Sequence, residues 1–384
     1  MGKPLNVGII GCGAIAAQYL ATLPALPSVN LVAVADLDPD RAKAAAEAQE
    51  CVRARTVEEL LADPEIDTVL NLTIPAAHAE VAIRAINAGK NVYGEKPLAA
   101  GTEEARKVLE LASSAGVRVG CAPDTVLGTG IQTARHAIDS GMIGRPVAAT
   151  ATMVTPGHER WHPNPDFYYV PGGGPLLDMG PYYVTALVTL LGPVASVVGA
   201  ASHTRSTRTI ESGPRAGEAV PVTIDTHVTG VLVHESGALS TLVMSFDAVQ
   251  TRSSNIEIHG ERASMTVPDP NYFDGEVSIC RLEDRDGGWE TLPSSAGYIG
   301  AGRGYGLADM ALTPPDRPHR ANGELAYHVL DVMESLLESA GSGAAVRVQS
   351  TAARPEGVPL MSLTSSEDVT ASTTPWFEAS RTQG

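Results

Sequence analysis

The sequence predicts two domains: an N-terminal α/β domain with a doubly wound parallel sheet, then an α+β domain on a large, mostly antiparallel open sheet. Three observations carry this. A short apolar run leads into a glycine turn and a helix near the N-terminus. Apolar strands then alternate with helices as far as Cys121. From Val147 the alternation gives way to consecutive β-rich segments separated by Gly and Pro turns. The expected domains are residues 1–124 and 125–360. A loosely held Ser- and Thr-rich tail follows over 361–384, with Trp376 and Phe377 as its docking candidates.

The run over 5–10 reads as a buried parallel strand. It enters Gly11-Cys12-Gly13-Ala14-Ile15-Ala16, and 17–20 continues as a helix. This is G-x-G-x-x-A between a strand and a helix, the mark of a Rossmann-like dinucleotide site. Gly11 permits the tight turn, Gly13 lets the backbone approach a pyrophosphate, and Ala16 lets helix and strand pack closely. The helix start at Ala14 and Ile15 offers free N–H groups to the phosphates. A second strand over 31–35 ends at Asp36, 20 residues beyond Ala16, where a carboxylate grips the ribose hydroxyls. It would repel a 2′-phosphate, so the expected cofactor is NAD rather than NADP; the plainer alternative is a helix cap.

Strand 68–72 ends in Thr73-Ile74-Pro75, helix 77–88 follows, and strand 91–93 delivers Gly94-Glu95-Lys96-Pro97. Ligands of open α/β sheets bind beyond the carboxyl ends of the strands. The Gly11 turn, the Thr73–Pro75 loop and the Glu95–Pro97 segment therefore converge. Thr73, Pro75, His78 and Glu95 join the cofactor set, with a structural cap as the alternative for His78. Lys96 stands out because the chain has 5 lysines against 22 arginines and none after Lys107. Proline keeps its predecessor extended, and burial in a cleft is expected to lower the lysine enough to trade protons near neutral pH.

A net charge of −17 argues against nucleic acid and anionic membranes as partners. No apolar stretch has the length of a signal peptide or a membrane span. Cys12, Cys51, Cys121 and Cys280 have neither metal nor disulfide spacing. The expectation is a cytoplasmic protein without a metal site.

In the second half, strands are expected over 147–154, 222–234, 239–247, 255–259, 263–267 and 277–282, and an amphipathic helix over 323–339. The Pro-punctuated loop 156–169 carries His158, Trp161, His162 and Tyr168, aromatic faces and polar groups that suit a sugar ring; the bland alternative is a hydrophobic anchor. After Gly172-Gly173-Gly174, Asp178 and Tyr182 are four apart and share one helix face, where they can orient a hydroxyl and pass its proton. Asp124, just past a strand-like 117–121, is a further substrate contact.

With these motifs in this order, the chain resembles the Gfo/Idh/MocA family of nicotinamide-dependent oxidoreductases over most of 5–350. The resemblance implies an open sheet buried in a homodimer or homotetramer, and a cis bond before Pro97. It also implies that Lys96 contacts the reacting hydroxyl and the nicotinamide ribose, and that Asp178 positions the substrate. One departure is plain. The family pattern Asp-x-Gly-x-His-x-x-Asp has Tyr182 at the His and Thr185 at the second Asp. Tyrosine is ordinarily a poor base at pH 7, but a cationic neighbour favours the phenolate. Either Tyr182, Lys96 or both handle the proton, or His158 or His162 folds in.

The expected activity is NAD-dependent hydride transfer to or from a secondary alcohol of a small carbohydrate or polyol: a sugar, glycoside, anhydrosugar or cyclitol. Glu95 would hold the lysine. The alternative is redox-neutral glycoside hydrolysis through transient oxidation of a ring hydroxyl; a third reading is a non-catalytic NAD or sugar sensor. Arg252, Arg281 and Arg303 would recognise an acidic sugar if they reached the cleft, and are otherwise surface residues.

Overall fold

Six short strands, all apolar but the edge strand, build the first sheet, and five helices wrap them. In chain order these are β1 (Leu5–Ile10), α1 (Ala16–Thr22), β2 (Val29–Ala35), α2 (Pro39–Glu47), β3 (Arg53–Arg55), α3 (Val57–Ala62), β4 (Thr68–Asn71), α4 (His78–Asn87), β5 (Asn91–Gly94), α5 (Thr102–Ala115) and β6 (Val119–Cys121). All pairings are parallel, in the order β3-β2-β1-β4-β5-β6. The strand order reverses between β1 and β4, which opens a crevice at their carboxyl ends. Local chemistry sets the helix starts. Asp38 caps α2 ahead of Pro39, and Thr56 with Glu59 forms a reciprocal capping box on α3. The computed structural model describes residues 3–49 and 52–364; Cys51, Trp376, Phe377 and the tail beyond 364 lie outside them.

The chain continues through α6 (Thr129–Asp139), β7 (Pro146–Val154), α7 (Pro175–Leu191), β8 (Val194–Ser202), β9 (Thr207–Thr209), β10 (Ala219–Pro221), β11 (His227–His234), β12 (Leu239–Ser245), β13 (Ile256–Gly260), β14 (Ala263–Val267), β15 (Val277–Arg281), β16 (Glu290–Leu292), α8 (Tyr305–Leu312), α9 (Gly323–Ser342) and β17 (Val346–Arg347). Nine of these strands form one sheet in the order β16-β15-β14-β13-β7-β12-β11-β8-β17. Its pairings are antiparallel except β7 with β12, which run parallel. Helices α6, α7 and α9 pack on it.

The expected antiparallel sheet is therefore present, with one parallel seam at its centre. Sequence patterning missed β8, an Ala- and Gly-diluted strand that follows directly on the Gly192-Pro193 stop. Helix α7 runs from Pro175 to Leu191 and carries Pro181 inside it. Buried side chains of both sheets belong to one hydrophobic core, and α9 packs on α5 and α7, so the two halves share a seam.

Candidate active site

The glycine turn lies in the crevice between β1 and β4. Gly11 has φ 103°, and a Cβ there would stand 2.6 Å from the carbonyl of Leu72, so only glycine fits. At Gly13 a Cβ would meet no protein atom within 4 Å. The protein itself does not need glycine at 13; a pyrophosphate crossing the turn does. Ala14 is exposed and Ile15 half-buried at the same lip. Asp36, half-buried at the end of β2, accepts the N–H of Cys12 at 2.7 Å and of Asp38 at 2.9 Å. Burial, then Asp36, pushes the Cys12 thiol up to about 11. Leu37 and Ile74, 95% and 70% exposed, follow β2 and β4 and offer apolar surface to a planar base. These residues fit a dinucleotide: Asp36 would hold a ribose, Gly13 to Ile15 the phosphates, and the loop of Thr73 and Pro75 the ring beyond them.

Behind that loop, Asn71 Oδ1 accepts the Thr73 hydroxyl at 2.6 Å. His78 is buried, and its ring lies between the carbonyl oxygens of Pro97, 2.6 Å from Nδ1, and Thr73, 3.0 Å from Nε2. The expected cofactor contact is corrected here. His78 has no nitrogen left for a ligand and serves as a strut tying the Thr73 loop to the Lys96-Pro97 peptide. That peptide is cis, as is Ala122-Pro123.

Lys96 is the centre of the site. Its Nζ donates to Asp178 twice, to Oδ1 at 3.0 Å and to the backbone oxygen at 2.6 Å, and lies 5.2 Å from the Tyr182 ring centroid. Asp178 sits in the first turn of α7 and Tyr182 one turn on, so the helix presents both to the lysine. Glu95 does not touch the ammonium. It accepts the Lys96 backbone N–H at 3.1 Å and the Tyr19 hydroxyl at 2.8 Å, fixing the lysine by its main chain.

The electrostatics reverse one expectation. Burial alone would lower Lys96, but the charges of Asp178, Tyr182 and Glu95 outweigh it and hold the ammonium well above the ordinary lysine value. Burial likewise opposes the Asp178 charge, yet Lys96 and His158 hold that carboxyl well below the usual range. Lys96 in this arrangement is a fixed cationic donor and does not trade protons near neutral pH.

Of the two loop histidines, His158 is the one brought in. Its Nε2 lies 3.2 Å from Asp178 Oδ2, and its Nδ1 accepts the Trp161 indole N–H at 3.3 Å. The Trp161 bond therefore leaves Nε2 to carry the ring proton toward Asp178. Tyr168 stands edge-on to His158, with centroids 4.5 Å apart, and burial and then Asp178 push its phenol up. His162 accepts the Asn164 N–H through Nδ1, meets Trp161, Phe167 and Tyr168 edge-on, and is lowered mainly by burial. It makes no hydrogen bond to Asp178.

The loop is clamped from below by groups the sequence reading did not single out. Arg208, fully buried on β9, donates to Glu159 Oε1 at 2.8 Å, Asp247 Oδ1 at 2.5 Å and the Pro156 carbonyl at 3.1 Å. Tyr169 donates to Glu159, and Phe246 packs 4.3 Å from the His158 ring. No local signal marks Arg208 as buried; it reads as any alternating strand residue.

Asp124 is the second correction. It is 0% exposed, and its Oδ2 accepts the N–H groups of Gly304 and Gly306 at 2.9 and 3.0 Å, which takes it out of a substrate's reach. Burial raises its carboxyl, with Arg303 pulling the other way. Arg303, read as a surface residue unless it reached the cleft, is buried and donates to the Tyr182 hydroxyl at 3.0 Å. Its setting, Gly302-Arg303-Gly304, was a usable signal: glycines on both sides let a backbone bury one large cation. Arg281 pairs with Glu290 on the sheet edge and Arg252 is exposed.

A parallel sheet with a phosphate-ready turn, and a cationic lysine facing a carboxylate and a phenol across it, define a nicotinamide-dinucleotide oxidoreductase. Two family models match, "Oxidoreductase family, NAD-binding Rossmann fold" over residues 5–122 and "GFO/IDH/MocA C-terminal domain" over 131–266. The chain belongs to the Gfo/Idh/MocA family of NAD-dependent sugar oxidoreductases. A dTDP-3,4-didehydro-2,6-dideoxy-alpha-D-glucose 3-reductase of Streptomyces violaceoruber is 31% identical over 297 residues, 76% of this chain and 80% of that one. A 1,5-anhydro-D-fructose reductase of Ensifer adhaerens is 29% identical over 67% of this chain and 74% of its own. A levoglucosan dehydrogenase solved with NADH superposes with a TM-score of 0.76 at 22% identity, covering 91% of this chain and 100% of that one.

Proposed function

We propose that this chain is an NAD-dependent dehydrogenase or reductase acting on a secondary alcohol, or the matching ketone, of a sugar, anhydrosugar or cyclitol. The observation that carries it is the Lys96–Asp178–Tyr182 cluster at the carboxyl end of the dinucleotide sheet. The relatives that reduce a keto-sugar and an anhydro-sugar support the substrate class. NAD, when bound, supplies or accepts the hydride. The protein's share is the proton and the oxygen. The Lys96 ammonium donates to the substrate oxygen and stabilises charge developing on it. Asp178 keeps the lysine charged and aimed, and His158 bonds to the other oxygen of that carboxylate. Tyr182 takes or gives the hydroxyl proton, and Trp161 and Tyr168 offer flat apolar faces to the ring.

The test is incubation with NAD and a panel of levoglucosan, myo-inositol, 1,5-anhydro-D-glucitol and p-nitrophenyl glycosides. Steady NADH production abolished by Lys96→Ala supports the reading. Aglycone release with no NADH build-up would replace it by redox-neutral hydrolysis, which no comparison favours. Tight NAD binding with no turnover would leave a sensor.

The domain boundary at 124 and a homo-oligomer belong to the same reading. The sheet face turned away from the helices carries Val198, Val231 and Leu239, each exposed, with Val231 opposite both Val198 and Thr241. A flat, β-branched, uncharged surface of this kind suits a second copy of the chain. Light scattering of the wild type and of Val231→Lys tests it: a single mass, the monomer's, for both would sink the oligomer.

A further inference from the structure

Tyr182 stands where the family pattern has an imidazole, and its phenol oxygen is engaged. Arg303 Nη2 donates to it at 3.0 Å, and the guanidinium carbon lies 5.4 Å from the ring centroid. Arg303 comes from the turn just ahead of α8, 121 residues from Tyr182 in the chain. Asp124 secures it twice over. Its Oδ1 lies 3.5 Å from Arg303 Nη1, and its Oδ2 accepts the backbone N–H groups of Gly304 and Gly306, just after the arginine. Phe273 closes the outer face of the guanidinium, 5.9 Å from its ring centroid. The cation is buried with a carboxylate of its own as counterion.

A guanidinium has donors only. The Tyr182 oxygen must therefore be the acceptor in this bond, and its own proton turns away from Arg303. Lys96, also without acceptors, lies over the same ring, 5.2 Å from its centroid. Two cations lie over one phenol ring, each with its own counterion, Asp178 for Lys96 and Asp124 for Arg303.

We propose that Arg303, held by Asp124, is the positioning residue of the proton-transfer step: it fixes the phenol oxygen of Tyr182 and turns the hydroxyl proton toward the cleft. In the reducing direction the substrate carbonyl carbon gains the hydride that NADH supplies. The Tyr182 O–H bond breaks, its proton goes to the carbonyl oxygen, and the phenolate left behind faces Arg303 until water reprotonates it. The charge that appears on Tyr182 thus meets a cation already in place, with no reorganisation. This rests on the reading of Tyr182 as the proton carrier.

Two readouts on the full chain with NAD test it. With [ζ-13C]tyrosine, the Tyr182 resonance, identified by its loss in Tyr182→Phe, should move in Arg303→Gln and return most of the way in Arg303→Lys. An unmoved resonance in Arg303→Gln overturns the proposal. With levoglucosan or myo-inositol, whichever is turned over, Arg303→Gln should lower kcat at least about tenfold, the scale of a hydrogen bond to a charged group, with KM nearly unchanged. In the Tyr182→Phe background the same change should cost nothing further; a full multiplicative loss there overturns the proposal. Full activity of Tyr182→Phe alone sinks the proton-carrier reading instead, and the resonance still decides whether Arg303 holds the phenol.

Discussion

Lys96 and Asp178 are 82 residues apart in the chain and 3.0 Å apart in space. One lies just beyond a strand of the parallel sheet, the other in the first turn of a helix of the second half, and their ion pair joins the two. Each stays charged because of the other, against the cost of burial. The pair is at once a joint between the two halves and the polar centre of the site.

Breaking that pair should separate activity from binding. Lys96→Ala should cut turnover about 10²- to 10³-fold, the range for removing a donor that stabilises charge on the reacting oxygen. NADH affinity, followed by nicotinamide fluorescence, should change much less. Asp178→Asn should also alter acid stability. The Asp178 carboxyl is lowered in the folded state, so its contribution is present above the unfolded value of 3.8 and is lost as pH falls below it. Thermal midpoints should therefore drop more steeply below about pH 4 in the wild type than in Asp178→Asn. Equal slopes would mean the pair is already broken in solution.

The two glycines of the turn should fail in different ways. Gly11→Ala forces a Cβ into the Leu72 backbone at a positive φ and should destabilise the fold by at least about 1 kcal/mol. Gly13→Ala meets nothing in the protein, so its melting point should stay within about 2 °C of wild type. Its NADH affinity should nevertheless fall about tenfold or more by titration, because the added carbon stands in the phosphate path. Unchanged affinity in Gly13→Ala would refute that path.

Arg208 predicts a stability effect with a functional shadow. Arg208→Met leaves Glu159 and Asp247 buried without their cation, a loss on the order of 3–5 kcal/mol by denaturant unfolding. In the milder Arg208→Lys, the loop carrying His158 should loosen, and KM for the sugar should rise before kcat falls. A wild-type KM in a measurably destabilised Arg208→Lys would uncouple the clamp from the loop.

His319 supplies a separate pH effect. It is buried beside Gly120 on β6, and desolvation lowers it to about 4 from its ordinary 6.5. Between those values the unfolded chain binds a proton that the folded chain refuses, so stability falls as pH drops from 6.5 toward 4. The full difference is on the order of 3 kcal/mol at about 1.4 kcal/mol per pH unit. Chemical denaturation at several pH values should show this slope in the wild type and a flatter one in His319→Asn.

Much of this was legible in local pattern. An apolar run entering Gly11-Cys12-Gly13, a carboxylate 20 residues past Ala16, and a lysine delivered by a strand end place a dinucleotide and a polar centre at one edge of one sheet. That inference needs only strand period, turn chemistry and the rule for strand ends, each set by residues within a few positions of one another. The four-residue step from Asp178 to Tyr182 likewise told which face of α7 would meet Lys96. The β7–β12 seam was not readable, because its partners are brought together by the sheet and not by a turn.

The sequence by itself determined the class of fold and the end of the parallel sheet at which a dinucleotide would bind. Only the tertiary structure decided the states of the side chains there. It made Lys96 a fixed cation by placing Asp178 against it, chose His158 over His162, withdrew Asp124 and His78 into supporting bonds, and brought Arg303 to Tyr182 from 121 residues away. Proton affinity and hydrogen-bond direction depend on burial and on the nearest opposite charge. Both are products of contacts between distant segments, which no local spacing encodes.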